Sequence, residues 1–176
     1  MSDRLFFALW PDPALLQAMR ARVAAIVDSV EGEPQRPDQW HVTLEFMGQV
    51  PHERQPALRA AAGRVRPSSF TIEFDRVEHW RKPQVVCLMA SRVPAGLAAL
   101  VTQLHAALAE EGFTLDARPF RPHVTLARKV RTAADSRLDP PIVWQSSGFA
   151  LVRSVTAAAG SRYEPLCWWN HAVEGG

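Results

Sequence analysis

The chain has 176 residues, 47% of them apolar, and 20 Lys and Arg against 18 Asp and Glu give a formal net charge of +2. That length holds one sizeable core or two small lobes sharing one, and the apolar content excludes a disordered chain. The near balance of charge argues against a broad, non-specific nucleic-acid glove and leaves a local basic cleft as the form a nucleic-acid site would take. With no charged-then-apolar leader and no apolar stretch of ~18 residues, a soluble protein of the cytoplasm is expected, with no membrane partner and as a monomer. Cys87 and Cys167 fall inside apolar runs and read as buried free thiols.

In chain order, Arg4 to Trp10 reads as a buried strand. Asp12-Pro13 then supplies a cap and a first-turn proline for a helix running to about Val30, with Leu15, Leu16, Met19, Val23, Ile26, Val27 and Val30 at helical spacing. Glu31 to Gln39, with Gly32, Pro34 and Pro37, is a loop. From Trp40 to Phe46 apolar and polar residues alternate, which predicts a strand with Trp40, Val42, Leu44 and Phe46 in the core and His41, Thr43 and Glu45 on the free face. Gly48 is expected to break that strand. A second helix from about Pro51 would turn Leu58, Ala61, Ala62 and Val65 inward, with Pro56 tolerable in its first turn.

Phe70, Ile72 and Phe74 mark a half-buried strand, Trp80 to Pro83 a turn, and Val85 to Ala90 another apolar run. The third helix runs from about Ala95 to Glu111 and stops at Gly112. Arg118-Pro119-Phe120-Arg121-Pro122 is a stiff, extended, basic approach to a second alternating strand. On that strand His123 and Thr125 lie on one side, Val124 and Leu126 on the other. A polar loop beyond Arg131 leads to Ile142-Val143-Trp144, followed by strands near Phe149 to Ser154 and Tyr163 to Trp169. Glu174-Gly175-Gly176 reads as a frayed end.

His41-Val42-Thr43-Leu44 recurs 82 residues later as His123-Val124-Thr125-Leu126. Upstream of each copy come an apolar run and a helical segment. The offsets nearly agree, 34 residues from Phe7 to His41 and 36 from Cys87 to His123. This points to an internal duplication of strand, helix and histidine-bearing strand. The expected fold class is therefore α+β: residues 1–176 form a single domain of two pseudo-symmetric lobes, with antiparallel sheets lining a central cleft and helices packed outside.

Two facing imidazoles supply one general base and one general acid, which is what displacement at phosphorus needs when water attacks and an alkoxide leaves. Thr43 and Thr125 ride on the same faces as their histidines and are suited to hold non-bridging phosphoryl oxygens. Metal-ligand spacings, a phosphate loop and a nucleophile elbow are all absent from the sequence. The expected chemistry is acid–base catalysis without metal or cofactor. The near-symmetry of the pair leaves open which histidine is acid and which base. A bell-shaped rate profile is expected, with both limbs within roughly two units of neutrality.

The two His-Val-Thr-Leu units, Arg-Leu-Phe-Phe-Ala at residues 4–8, Arg-Pro-Phe-Arg-Pro-His-Val-Thr-Leu-Ala-Arg at 118–128, and Leu-Val-Arg-Ser at 151–154 with a later Tyr163 resemble the two-histidine phosphoesterases, in particular the RNA 2′,3′-cyclic phosphodiesterases first described as 2′-5′ RNA ligases. The resemblance covers about Arg4 to Trp169. It implies a two-lobed fold with a V-shaped cleft, and opening of a 2′,3′-cyclic phosphate on an RNA end or cyclic nucleotide to leave a 2′-phosphate. By the same resemblance His41 is the proton donor to O3′, His123 is the acceptor that activates water, and Arg128 binds phosphate. The alternatives are a non-catalytic RNA-end binding module and a 2′-5′ ligase acting in the reverse direction.

Strict alternation places Arg128 on the face of Val124 and Leu126 and Lys129 on the histidine face; a bulge or strand end at Ala127 would reconcile the two readings. His52, His79, His105 and His171 read as structural or solvated, with His105 bordering an apolar helix face and the others in loops or near the carboxy end. Trp40 and Phe7 read as core. Arg118 and Arg121 stand between plain solvated charges and guides for RNA phosphates.

Overall fold

The computed structural model describes residues 1–157 and 160–170, so the frayed end expected at Glu174-Gly175-Gly176 and the reading of His171 lie outside the described residues. In chain order the elements are β1 (Ser2–Leu9), α1 (Pro13–Ser29), β2 (Glu33–Pro34), β3 (Val42–Pro51), α2 (Gln55–Arg64) and β4 (Phe70–Trp80). They continue with β5 (Val85–Met89), α3 (Ala95–Glu110), β6 (His123–Arg128), β7 (Ser136–Ser146), β8 (Gly148–Ala157) and β9 (Gly160–Asn170). The helix boundaries follow the local chemistry. Asp12 caps α1 by accepting from the Leu15 amide at 2.8 Å, Pro56 sits in the first turn of α2, and Gly112 takes φ +73 just past α3. Among the described residues, no helix is long and apolar enough to cross a membrane.

The nine strands among the described residues form one open antiparallel sheet in the order β7-β4-β5-β6-β3-β1-β8-β9, with β2 added to β6. Reading outward from the middle, β6-β5-β4-β7 on one side mirrors β3-β1-β8-β9 on the other. One residue pair joins the halves, Val42 with Val124. The helices α1, α2 and α3 pack on a single face. Met19 and Val23 of α1, Leu58 of α2 and Leu97, Leu100 and Leu104 of α3 join Phe7, Val42, Leu44, Phe74, Val124 and Leu126 in one continuous core. Trp40, 3% exposed, belongs to it as expected.

The opposite face carries two small clusters of strand residues. One is Phe6, Ala8, Ala150 and Val152, with Trp10 and Tyr163 against it; the other is Val85, Cys87 and Met89, with Trp80. These form the floor of the face on which both histidines stand. Of the two thiols, Cys87 is buried and Cys167 half-buried, and both are free.

Three sequence expectations give way to bulges and edges. In β3, Ala8 pairs with Thr43 but Phe7 pairs with Glu45, so Leu44 is an extra residue. In β6, Cys87 pairs with Thr125 and Val86 with Ala127, so Leu126 is the extra residue there. Each bulge buries two consecutive residues and turns the next one outward. As a result Glu45 is 4% exposed and Phe46 57% exposed, the reverse of strict alternation. Glu45 is tolerable inside because His105 Nε2 lies 2.7 Å from its carboxylate and the Asp116 amide donates to it at 3.2 Å.

Gly48 does not end the strand: with φ +65 it follows a second extra residue, Met47, and β3 continues to Pro51. Helical structure accordingly begins later than expected, as a 3₁₀ turn at His52–Arg54 before α2. The segment read as a polar loop beyond Arg131 is largely β7, whose polar residues and prolines are accommodated because it is a sheet edge with an irregular register opposite Phe74 and Arg76.

The bulge at Leu44 makes a stability prediction opposite to the one alternation makes. Replacing Glu45 by Ala should cost about 1–3 kcal/mol by stranding His105 and the Asp116 amide, whereas Phe46→Ala should stay within about 1 kcal/mol. Urea unfolding of the two variants gives the order directly.

Candidate active site

The pairing of Val42 with Val124 arranges the site. Both valines are fully buried on the helix-covered face, so their chain neighbours project from the bare face. In an antiparallel pair this sets His41 across from Thr125 and Thr43 across from His123, with the two imidazoles on a diagonal. The solvent pattern over 41–46 is repeated residue for residue over 123–128: half-buried His, buried Val, half-buried Thr, two buried residues, one exposed.

The two imidazoles are also held alike. His41 Nδ1 lies 2.6 Å from the carbonyl of Gln39, and His123 Nδ1 lies 2.7 Å from the carbonyl of Arg121. A carbonyl only accepts, so in both rings the proton is on Nδ1 and Nε2 is the free nitrogen. His41 Nε2 accepts from the Thr43 hydroxyl at 3.1 Å.

Aromatic rings fix the imidazole planes. Trp10 stacks parallel to His41 at 5.3 Å, Tyr163 meets it edge-on at 5.2 Å and Phe6 lies at 5.0 Å. Trp80 lies 4.7 Å from His123. Trp80 is itself tied to Glu78 at 3.0 Å and covered by the Arg121 guanidinium at 4.9 Å, and Arg121 pairs with the same carboxylate at 2.9 Å.

Burial among these rings is the main cause holding His41 down at about 4; the Gln39 carbonyl opposes it, while the charges of His123 and Arg128 add to it. His123 is lowered too, by burial first, with Arg121 and Arg128 acting in the same direction and the Arg121 carbonyl against. Both rings are therefore neutral at neutral pH in the protein by itself. The value for His41 lies below the range expected from reference histidines, because the rings that desolvate it come from distant parts of the chain. Cys87, 4.0 Å from the Thr125 hydroxyl, is pushed up to about 12 by burial and stays a thiol.

Arg128 stands on the histidine face. The extra residue Leu126 restores it to the side of Thr125, opposite Val85, so the bulge falls one residue before Ala127. Lys129, expected on that face, takes φ +56 and turns to Glu33 at 2.6 Å. Arg128 helps line a cleft of 540 Å³ that opens beside His41, with Arg4, Phe6, Arg36, Phe46 and Tyr163 among its walls.

The other histidines among the described residues have partners outside the cleft. His52 pairs with Asp3 at 3.2 Å, His105 with Glu45, and His79 bonds the Val130 carbonyl at 2.9 Å from within β4, not from a loop. Arg118 is held by Asp116, and Arg121 builds the wall beside His123. Among the described residues, no three His, Cys, Asp or Glu side chains are grouped so as to hold a metal ion. Sequence reasoning passed over Trp10, Trp80 and the outward turn of Phe46; the one signal for the tryptophans was their place at the ends of apolar strand segments.

An open antiparallel sheet whose bare face carries two His-x-Thr units around one central pair is the architecture of a two-histidine phosphoesterase. The family model described as LigT like Phosphoesterase matches residues 9–87 and again residues 88–161, and the chain belongs to this family. It is 34% identical over 170 residues to an RNA 2′,3′-cyclic phosphodiesterase of Escherichia coli, covering 95% of this chain and 96% of that one. It is 32% identical over 179 residues to a protein of the same name from Thermus thermophilus, covering 93% and 87%. The crystal structure of E. coli LigT complexed with 3′-AMP superposes with a TM-score of 0.85 at 32% identity, over 98% of this chain and 99% of that one.

The depressed histidines predict a linkage between anion binding and protonation. A phosphate placed between the rings favours their charged forms and raises both pKa values. Between the free and bound values, binding then takes up a proton, so affinity for inorganic phosphate should strengthen as pH falls from about 6.5 towards 4. NMR titration of the imidazoles should place His41 near 4 without phosphate and higher with it; an unmoved value would deny any contact with the anion.

Proposed function

We propose that this chain is a hydrolase that opens RNA 2′,3′-cyclic phosphate termini to 2′-phosphates by paired-histidine acid–base catalysis. The observation that carries this reading is the matched anchoring of the two rings, which aims one Nε2 from each half at the same face. The names borne by the E. coli and T. thermophilus relatives supply the substrate class. The same reading takes residues 1–176 as one domain of two pseudo-symmetric lobes.

In the proposed reaction, His123 Nε2 takes a proton from water as the oxygen attacks phosphorus. The P–O3′ bond breaks and His41, charged in the complex, gives its Nε2 proton to O3′. The product carries the phosphate on O2′, and the two rings exchange protons with solvent before the next turnover. Thr43, Thr125 and Arg128 hold the non-bridging oxygens, whose charge grows as water adds. The substrate itself assists the acid: its phosphate raises the pKa of His41 from the low value that burial imposes. Both proton transfers are made by side chains, so no step calls on a metal.

His41→Ala and His123→Ala should each lower ring opening of a nucleoside 2′,3′-cyclic phosphate by at least ~10²-fold while circular dichroism stays that of the folded protein. A near-wild-type rate in either variant would rule out the paired mechanism. Turnover in EDTA should equal turnover without it, and a loss restored by a divalent ion would overturn the metal-independent reading.

A further inference from the structure

We propose that the Arg4 end of the cleft is a subsite for the 3′,5′-phosphodiester joining the terminal nucleotide to the one before it, so that the protein prefers RNA ends of two or more nucleotides to a cyclic mononucleotide. This rests on the ring-opening reaction proposed above.

In displacement at phosphorus the attacking and leaving oxygens lie roughly in line, so water on the His123 side places O3′, and with it the ribose, on the His41 side. The surroundings of the two rings differ in the matching sense. Phe6, Gln39 and Tyr163 all touch His41 and all line the 540 Å³ cleft. Trp80 and Arg121, the neighbours of His123, lie outside it. A volume of that size is within the range of ligand pockets of about 300–1,000 Å³.

Ala8, Phe6 and Arg4 share one face of β1, at intervals of about 6.6 Å, and they pair with Thr43, Phe46 and Gln49. Leading away from the reacting phosphorus, the rows are a hydroxyl, then two aromatic rings with centroids 5.8 Å apart, then a guanidinium. Phe46, 57% exposed beside Phe6, offers an apolar platform of the kind on which bases stack. Ser154, paired with Arg4 across β8, adds a hydroxyl beside the guanidinium.

Arg128 acts near the phosphorus, since both histidines feel its field. Arg36 is bound to Asp38, and Glu33, the carboxylate in the lining, is taken up by Lys129. The Arg4 side chain is exposed, and its guanidinium makes no hydrogen bond or ion pair with another described residue. A cyclic mononucleotide brings one anion, which Arg128 and the charged His41 already meet. The second phosphate of an RNA chain meets Arg4.

The test compares uridine 2′,3′-cyclic phosphate with a diuridylate ending in the same ring. For the wild-type protein, kcat/KM should be about tenfold higher for the dinucleotide, mostly through KM, as one charge-assisted phosphate contact provides. The logarithm of that advantage should fall against log salt with a slope of about −0.7, as for one single-strand phosphate contact. Arg4→Gln should bring the ratio of the two kcat/KM values close to one, and Arg4→Lys should keep most of it. A wild-type ratio near one, or a ratio that Arg4→Gln leaves unchanged, overturns the subsite while the ring-opening reaction stands. Failure of the wild type to open either ring would overturn the proposed function and the subsite together.

Discussion

Val42 and Val124 make the single pairing that joins two four-stranded halves of the sheet, and the site is arranged around it. An antiparallel pair has a local twofold axis through its middle, so whatever flanks one valine is matched by what flanks the other. With both valines locked into the core under the helices, His41, Thr43, His123 and Thr125 have one direction left to project. The symmetry of the site follows from the geometry of one ladder rung, and the large apolar area beneath it supplies the rigidity that acid–base chemistry at fixed separation requires.

The bulges at Leu44 and Leu126 are the second element of the design. Each lets a leucine and its successor both face the core, so the residue five positions after each histidine returns to the cleft. In one half that residue is Phe46 and in the other Arg128. The duplication thus delivers the same position twice with different chemistry, an aromatic platform beside His41 and a cation that acts on both histidines. Divergence at this matched pair, together with Tyr163 and Trp10 around one ring and Trp80 around the other, gives an otherwise symmetric face a direction.

Burial sets the electrostatic state of the protein by itself. Aromatic rings remove solvent from both imidazoles and depress them, His41 to about 4, which on its own makes a poor acid at neutral pH. In the proposed reaction the phosphate carries the charge that reverses this effect, so the acid would be generated where and when an anion is bound. Glu45 shows how the fold tolerates a carboxylate close behind this face: its charge is spent on His105 and a backbone amide on the far side of β3.

The repeat of His-Val-Thr-Leu, the alternation through residues 40–43 and 122–125, the cap at Asp12, the first-turn proline Pro56 and the terminating Gly112 are local signals, and each was legible in the sequence because it depends on neighbours within a turn or a strand. Together they determined the α+β class, the two histidine strands and the face on which His41, Thr43, His123 and Thr125 lie. The outward turn of Phe46, the burial of Glu45 and the return of Arg128 to the cleft were decided by bulges, which arise where one strand must keep register with a partner far away in sequence. The polar stretch before Ile142 became β7 for a similar reason, since pairing with β4 at an open edge outweighed its weak strand propensity. The low pKa of His41 belongs to the tertiary structure alone: Trp10 and Tyr163, more than 150 residues apart in the chain, meet on that ring only because β1, β8 and β9 lie side by side.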